Sequence, residues 1–194
     1  MDEIILASKS KVRLEILSRN NIKCVPKPSN VDEDEIKNSM LRDGAHPEHV
    51  SINLAQLKAN KISQKNLNKI VIGADSVIDL NKKIISKPKD RNEALEILKK
   101  LNGKSHYLIS SVCISKNGSM IWKHTDKAKL TMKKMSDDEL KLYLSKIADE
   151  KLFAYNVYQI EGEGKNLFSN IEGDVDTIMG LPIKKIKEYL VNLK

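Results

Sequence analysis

The chain has 194 residues, of which 40% are hydrophobic and 31% are charged, a balance typical of a globular protein that folds in water as one domain or two small lobes. No apolar run approaches the roughly 18 residues that span a bilayer, and the chain starts acidic rather than basic, so we expect no membrane segment, no secretory signal and a cytoplasmic location. The formal net charge of +8 could indicate a nucleic acid or a small anion as partner, but the lysines are spread over the whole chain, so most of the charge is interpreted as a solvated surface. Aromatic residues make up only 4%, so we expect no nucleic-acid partner.

The first half of the sequence alternates short apolar segments with helical patterns. The pattern predicts a buried strand over residues 3–7, a helix over 11–19 and a second strand over 22–26. The polar stretch 27–45 is interpreted as a loop or a short helix. A long helix over 47–64 begins with a proline in its first turn.

The second half continues the alternation with longer strands, and the whole pattern favours an α/β fold. It predicts a strand over 69–80, followed by a helix over 91–101 with a capping box from Asp90 to Glu93. A hairpin over 105–132 is expected to turn at Asn117-Gly118. After it the pattern predicts a helix capped by Ser136 and Glu139, a strand just before Tyr158, and a last helix that starts at Pro182.

The stretch ILASKSKVR, residues 5–13, places two hydroxyls and three cations at the end of an apolar strand. Ser10 is placed to cap the following helix, whereas Arg13 stands where a capping box would have a carboxylate. The backbone donors at this helix start, together with Ser8 and Ser10, therefore suit an anion. An ordinary capped helix with surface charges explains the same residues equally well.

A second group of polar residues interrupts the long strand of the central region. Asp75 follows Gly73 inside an otherwise apolar run, and a buried carboxylate costs several kcal/mol unless it is paired or binds a metal. A salt bridge to a buried arginine is one interpretation. A metal ligand or general base is the other, and the polar neighbour Ser76 favours it. Asp79 is assigned to the turn at Asn81.

Other candidates carry little signal when taken alone. Lys87 lies between a predicted strand and a helix start, and the proline after it holds it extended. Lys58 lies on the long helix and is interpreted as a surface residue. Glu161 lies in the stretch YQIEGEG, which is either a simple turn or a ligand loop. His46 and His49 have the spacing of a metal pair, but solvated histidines explain them better.

Six motifs in order along nearly the whole chain resemble those of the Maf family of nucleoside triphosphate pyrophosphatases, once named as inhibitors of septum formation. They are LASKSKVR, NVDEDEI, LAQLKA, VIGADSVI, the segment ISKPKDRNEALEILKKLNGKSHYLISSV, and the block from YQIEGEG to GLPI. The resemblance implies a mixed twisted β-sheet with flanking helices and two lobes around a central cleft, as in inosine triphosphate pyrophosphatases. Residues 1–194 would then form one catalytic domain.

The resemblance also implies hydrolysis of a nucleoside or deoxynucleoside triphosphate to the monophosphate and pyrophosphate, with Mg²⁺ or Mn²⁺ as cofactor. It implies that Glu33 and Asp75 hold the metal and that Asp75 accepts a proton from the attacking water. The substrate-binding residues that it implies are Ser8, Ser10, Arg13, Lys58, Ser76, Lys87 and Glu161. On this basis Lys58 belongs to the site, and Arg13 is expected to bind phosphate bidentately.

The sequence departs from the family at three positions that bear on the accepted base. Val12 stands where the family often has arginine, Ser76 where it has threonine, and Glu161 where it usually has glutamine, although one branch carries YQLEG. The preferred base stays open, as does the homodimer that the family suggests. Two alternatives are an activity like that of inosine triphosphate pyrophosphatases, and a non-catalytic division regulator that binds a protein or nucleic acid. Retention of Asp75 argues against the second.

Overall fold

A computed structural model describes residues 3–155 and 157–193 of the chain. Its strands are β1 (Ile4–Leu6), β2 (Cys24–Pro26), β3 (Val71–Leu80), β4 (Lys83–Ile85), β5 (Ser105–Lys116), β6 (Ser119–Met132) and β7 (Phe168–Glu172). Its helices are α1 (Lys11–Arg19), α2 (Glu33–Arg42), α3 (Pro47–Gln64), α4 (Arg91–Leu101), α5 (Asp137–Ser145), α6 (Asp149–Tyr155), α7 (Val175–Ile178) and α8 (Ile183–Asn192). Of the helices so described, none is long and apolar enough to cross a bilayer.

The strands form one mixed sheet in the order β2-β1-β3-β5-β6-β7. β1 pairs in parallel with β2 and β3, whereas β3, β5, β6 and β7 pair antiparallel. On the side of β3 away from β5, β1 pairs with Val71 and Ile72, and β4 pairs with residues 78–80. In the described part of the chain, residues 73–77 therefore have no strand neighbour on that side, and the sheet has a gap there.

The two faces of the sheet are covered differently. Ala55 and Ala59 of α3 form a cluster with Cys113 of β5 on one face. The opposite face carries two apolar cores. One joins β1, α1 and α8 and includes Ile72, Ala74, Val112 and Ile114; the other joins α4, α5 and α6 and includes Ile78, Leu108 and Leu130. Because side chains alternate along a strand, Ser76 and Ser110 point to this second face, between the two cores.

Most predicted elements are confirmed, with strand and helix ends within two residues of the expected positions. Asn117 and Gly118 have φ of 53° and 83° in the expected hairpin turn, and the capping box of Ser136 and Glu139 is complete. The stretch 27–45 contains a helix, α2. The capping box at α4 is half formed, because Asp90 accepts from the Glu93 N–H while the Glu93 carboxylate accepts from Lys89 N–H instead.

Two predictions are wrong. The strand expected before Tyr158 is replaced by the helix α6. Asp79 lies inside β3, opposite Tyr107 and Ile84, and the turn belongs to Asn81 and Lys82, both with positive φ. Asp79 is paired on both sides, with Ile84 of β4 and Tyr107 of β5, so strand pairing outweighs the tendency of aspartate to form turns.

We predict that Gly73→Ala lowers the melting temperature. A Cβ at this position would lie 2.3 Å from the Ala55 carbonyl oxygen and 2.7 Å from the Ala59 nitrogen, both backbone atoms of α3. Overpacking of this kind costs about 1–3 kcal/mol and sometimes more. Gly162→Ala is the matched control, because a Cβ there meets nothing nearer than the Gln159 oxygen at 4.0 Å. Equal melting temperatures of the two variants would contradict the prediction.

Candidate active site

Lys58 of α3 lies between two carboxylates. Its Nζ is 2.8 Å from Asp75 Oδ1 on β3 and 2.9 Å from Glu33 Oε1 in the first turn of α2. The side chains of Lys58 and Asp75 are 5% and 8% exposed, whereas that of Glu33 is 50% exposed. The salt bridge considered for Asp75 is therefore present, with a lysine as its partner. The interpretation of Lys58 as a surface residue is wrong.

The local sequence explains how a lysine is buried here. Gly73 lets the backbone of α3 approach β3, and Ala55 and Ala59 keep the facing side of the helix small. Lys58 shares that buried side, so its alkyl chain packs against the sheet while its ammonium reaches Asp75. Ser51, two turns earlier on the same helix, donates to the Asp75 carbonyl oxygen at 3.1 Å.

Arg13 of α1 occupies the gap beside β3. Its Nε donates to the Gly180 carbonyl oxygen at 2.9 Å, and its Nη1 donates to the Ala74 carbonyl oxygen at 2.9 Å and to Ser8 Oγ at 3.3 Å. Its Nη2 donates to Ser76 Oγ at 3.1 Å. These bonds use four of the five guanidinium N–H donors. The bidentate phosphate contact expected from the sequence would require Arg13 to release one of them.

The two serines of the opening stretch are joined to the same network. Ser10 Oγ accepts from the Arg13 N–H at 3.3 Å, so the predicted helix cap is confirmed. Ser8 Oγ accepts from the Ser10 N–H at 3.2 Å. Two of the backbone donors at this helix start are thus already satisfied within the protein, and an anion at this position would meet the remaining donors.

The charged groups perturb one another. Burial alone would raise the pKa of Glu33. The positive charge and hydrogen bond of Lys58, together with the charges of Arg13 and Lys87, have a larger combined effect, so the pKa of Glu33 is lowered. Desolvation lowers the pKa of Lys87, Arg13 lowers it further, and Glu33 and Asp75 only partly oppose this. Burial likewise lowers the pKa of Arg13. Lys87, between β4 and α4, is therefore within electrostatic reach of the other four groups.

Glu161 lies apart from this charged group, in the wall of a small pocket. The pocket is lined by four consecutive residues, Tyr158 to Glu161, and by four apolar residues from other parts of the chain: Val12 of α1, Leu108 of β5, Ile178 of α7 and Met179. Glu161 is exposed. It is the carboxylate among the pocket residues, and a carboxylate can only accept hydrogen bonds when ionised.

Two buried hydrogen bonds hold the segment that precedes Glu161. Tyr158 Oη is 2.9 Å from His106 Nε2, and Tyr143 Oη donates to the Val157 carbonyl oxygen at 3.1 Å. His106 is 1% exposed, and burial lowers its pKa from 6.5 to about 4. His106 Nδ1 has no hydrogen-bond partner in the described part of the chain. The histidine is therefore neutral near pH 7.

The charged group offers two carboxylates for a divalent cation. Lys58 contacts one oxygen of Glu33 and one of Asp75, so each carboxylate has a second oxygen. Mg²⁺ commonly takes one or two carboxylates together with substrate phosphates and waters, and this pair fits that pattern. Among the described residues no group of three or more His, Cys, Asp and Glu is placed to hold a metal, so His46 and His49 lack the further ligands that a metal pair would need.

Several groups of this site have no signal of their own in the sequence. Ser110 Oγ lies 2.8 Å from Ser76 Oγ and 2.7 Å from the Thr177 carbonyl oxygen, to which it donates. Thr177 lies in α7 and Gly180 in the short connection after it, where its φ of 102° favours glycine. The only available signal was a run of serines inside the apolar strand β5.

Comparison with known proteins assigns the family. The sequence pattern of the family described as Maf-like protein matches residues 3–193. The chain belongs to this Maf-like family. It is 69% identical over 192 residues to the nucleoside triphosphate pyrophosphatase of Pelagibacter ubique, covering 99% of this chain and 98% of that protein. It is 34% identical over 190 residues to the 7-methyl-GTP pyrophosphatase of Rhizobium meliloti, covering 98% and 96% of the two chains.

A more distant likeness links the Maf-like chain to a solved structure. The crystal structure of a nucleoside-triphosphatase, or dITP/XTP pyrophosphatase, from Mycobacterium abscessus superposes with a TM-score of 0.48 at 13% identity and covers 99% of this chain and 97% of that one. The fold described above rests on the strand order and pairing of this chain itself.

We predict that Lys58→Met destabilises the protein more than Asp75→Asn. Removing Lys58 leaves the Asp75 carboxylate buried without its paired cation, which costs about 3–5 kcal/mol, whereas Asp75→Asn leaves Lys58 paired with Glu33. Urea unfolding of both variants and of the double variant measures this. The double variant should recover part of the loss of Lys58→Met. An Asp75→Asn cost equal to or above that of Lys58→Met would contradict the asymmetry.

We predict that His106 makes stability decline as the pH falls from 6.5 towards 4. The unfolded chain protonates this histidine near pKa 6.5, whereas the folded protein keeps it neutral down to about 4. Its stabilising contribution is therefore present above pH 6.5 and is lost as the pH falls, with a slope of up to about 1.4 kcal/mol per pH unit. Unfolding free energies of the wild type and His106→Asn should converge over this range. Parallel pH profiles would refute the assignment.

Proposed function

We propose that this chain hydrolyses nucleoside triphosphates to the monophosphate and pyrophosphate, with Asp75 accepting the proton of the attacking water. The observation that carries the proposal is the charged group itself: Lys58 held between Glu33 and Asp75, with Arg13 and Lys87 within electrostatic reach. The names of the Maf-like relatives, one of them 69% identical over nearly the whole chain, support the reaction class.

In this proposal each group has a distinct chemical role. Water attacks the α-phosphorus, its oxygen forms the new P–O bond, and the bond from the α-phosphorus to the bridging oxygen breaks, so that pyrophosphate leaves. Asp75 takes the proton of the water, a role that requires it to be ionised. Lys58 and Lys87 place positive charge near the phosphate oxygens, where negative charge grows as pyrophosphate leaves. Arg13 has one N–H that bonds to none of the described residues, and it adds one further donor.

The proposal includes Mg²⁺ or Mn²⁺ held by Glu33 and Asp75. When bound, such a cation lowers the pKa of a coordinated water and neutralises phosphate charge. Glu33 suits this role because its pKa is lowered, so it stays ionised well below neutral pH. Its half-exposed position also gives a cation access from solvent.

The accepted base is a separate question from the reaction class. The Maf-like relatives include proteins named for 7-methyl-GTP as well as proteins named for nucleoside triphosphates in general. The pocket formed by the loop 158–161, Val12 and Leu108 is the proposed position of the base, since its walls are mostly apolar and Glu161 supplies an acceptor. A base or modified base that presents N–H donors or positive charge there suits this lining.

We predict that the purified protein releases pyrophosphate and monophosphate from at least one triphosphate, and that Asp75→Asn loses this turnover by about 10²–10⁴-fold. The panel is dTTP, UTP, CTP, GTP, 7-methyl-GTP and ITP, each with Mg²⁺, Mn²⁺ or EDTA. Asp79→Asn is the matched control, because Asp79 is a second aspartate of β3, four residues further along, outside the charged group.

The outcomes separate the alternatives. A preference for ITP would favour the activity of inosine triphosphate pyrophosphatases. Absence of turnover with every triphosphate and both metals would refute the proposal, and salt-sensitive binding of nucleic acid without turnover would then support a non-catalytic regulator. Equal losses in Asp75→Asn and Asp79→Asn would refute the role of Asp75 as proton acceptor.

A further inference from the structure

A chain of hydrogen bonds crosses the face of the sheet between the two apolar cores. Arg13 Nη2 is 3.1 Å from Ser76 Oγ, Ser76 Oγ is 2.8 Å from Ser110 Oγ, and Ser110 Oγ is 2.7 Å from the Thr177 carbonyl oxygen. This series of hydrogen bonds thus links α1, β3, β5 and α7. Ser110 is fully buried, whereas Ser76 is partly exposed in a stretch of β3 that is otherwise buried.

Elementary hydrogen-bond chemistry sets the direction of this chain. A carbonyl oxygen can only accept, so the single proton of Ser110 points to Thr177. Ser110 Oγ must therefore accept from Ser76, whose own single proton is used in that bond. Arginine can only donate, so Ser76 accepts from Arg13. With its proton directed to Ser110 and one lone pair taken by Arg13, Ser76 retains one lone pair and no proton.

The far end of the chain is itself held in place. The Thr177 hydroxyl donates to Asp126 Oδ2 at 2.7 Å, and Asp126 Oδ1 accepts from the Lys127 N–H at 2.9 Å. The carbonyl that accepts from Ser110 is therefore fixed between β5 and β6 rather than carried on a loose loop. Gly180 also lies close to Ser76, because a Cβ added at Gly180 would be only 3.1 Å from Ser76 Oγ.

Three of the four residues in this series of hydrogen bonds are close in sequence to residues that line the pocket with Glu161. Leu108 lies two residues from Ser110 on the same face of β5, Val12 precedes Arg13, and Ile178 follows Thr177. In the inference that follows, the partly exposed Ser76 hydroxyl faces the residues proposed to surround the nucleoside.

We propose that Ser110 is a positioning residue that holds the Ser76 hydroxyl as a pure hydrogen-bond acceptor towards the substrate. This inference rests on the proposed function. Ser76 then contacts a group that carries a proton, namely an N–H of the base or an O–H of the sugar. It does not contact a phosphate oxygen, because an ionised phosphate oxygen has no proton to donate. Ser76 therefore accepts a hydrogen bond from the nucleoside part of the substrate. Ser110 does not contact the substrate, but it determines that Ser76 accepts rather than donates.

The test compares substrates that differ by one proton donor. UTP and GTP carry a ring N–H where CTP and ATP carry a bare ring nitrogen, and each ribonucleotide carries a 2′-hydroxyl that its deoxy form lacks. We expect the wild type to prefer the donor member of at least one pair in kcat/KM. In Ser110→Ala the Ser76 hydroxyl can rotate to donate or accept, so this preference should fall about fivefold.

Two further variants distinguish positioning from a general structural effect. Ser76→Ala should lose the same preference, and the double variant should be no worse than Ser76→Ala, because Ser110 acts through Ser76. Ser115→Ala is the matched control: Ser115 is also a fully buried serine of β5, and its hydroxyl donates to Asn60 of α3 at 2.7 Å. Ser110→Thr, which keeps the hydroxyl, should retain the preference. Melting temperatures accompany every variant.

The outcomes are separable. A wild type without any donor preference, a Ser110→Ala variant that keeps the wild-type preference, equal effects of Ser110→Ala and Ser115→Ala, or additive losses in the double variant would each overturn the inference. Failure of the wild type to cleave any triphosphate would instead refute the proposed function on which it rests.

Discussion

Burial of the Lys58 ammonium is the constraint on which the rest of the candidate site depends. A charged group out of water costs several kcal/mol unless it is paired, and here Asp75 and Glu33 provide the pairing. Asp75 can reach Lys58 only because α3 lies close against β3, which in turn requires glycine at position 73. Glu33 can reach it only because α2 begins where its first turn faces α3. One ion pair network thus sets the spacing of three elements.

The opposite face of the sheet meets a different requirement. The gap between β1 and β4 leaves backbone groups of β3 without a strand partner, and a buried carbonyl needs a donor. Arg13 satisfies the Ala74 carbonyl and at the same time joins β3 to the segment after α7 through Gly180. The Arg13 side chain therefore supplies a hydrogen-bond donor to β3 at a position where no neighbouring strand does so in the described part of the chain. Its polar partners lie between two apolar cores, so a hydrophilic path reaches the middle of the sheet without interrupting either core.

Local patterns in the sequence predict the elements better than they predict the site. Helical periodicity and proline in the first turn locate α3, and Asn117-Gly118 locates the hairpin of β5 and β6, because these signals act over a few residues. The burial of Lys58 on α3 is not a local property, because it depends on Gly73, which lies 15 positions further along the sequence. Ser110 is harder still, since the carbonyl that it contacts is 67 residues distant. Helical periodicity suggested that Lys58 is a surface residue, whereas the motif resemblance assigned it to the site. A family motif includes residues that are kept because of contacts between distant parts of the sequence, and periodicity does not.

Charge balance within the site connects these two faces to the proposed chemistry. Arg13, Lys58 and Lys87 provide three positive charges near one another, and Glu33 and Asp75 remove two of them. A nucleoside triphosphate brings about four negative charges near neutral pH, far more than the remaining single charge can neutralise. A divalent cation at the second oxygens of Glu33 and Asp75 would offset part of this excess, which is why we expect substrate and cation to bind together. In the proposed mechanism, the carboxylates that hold Lys58 in the folded protein are the same groups that would bind the cation, so stability and substrate binding would depend on one pair of residues.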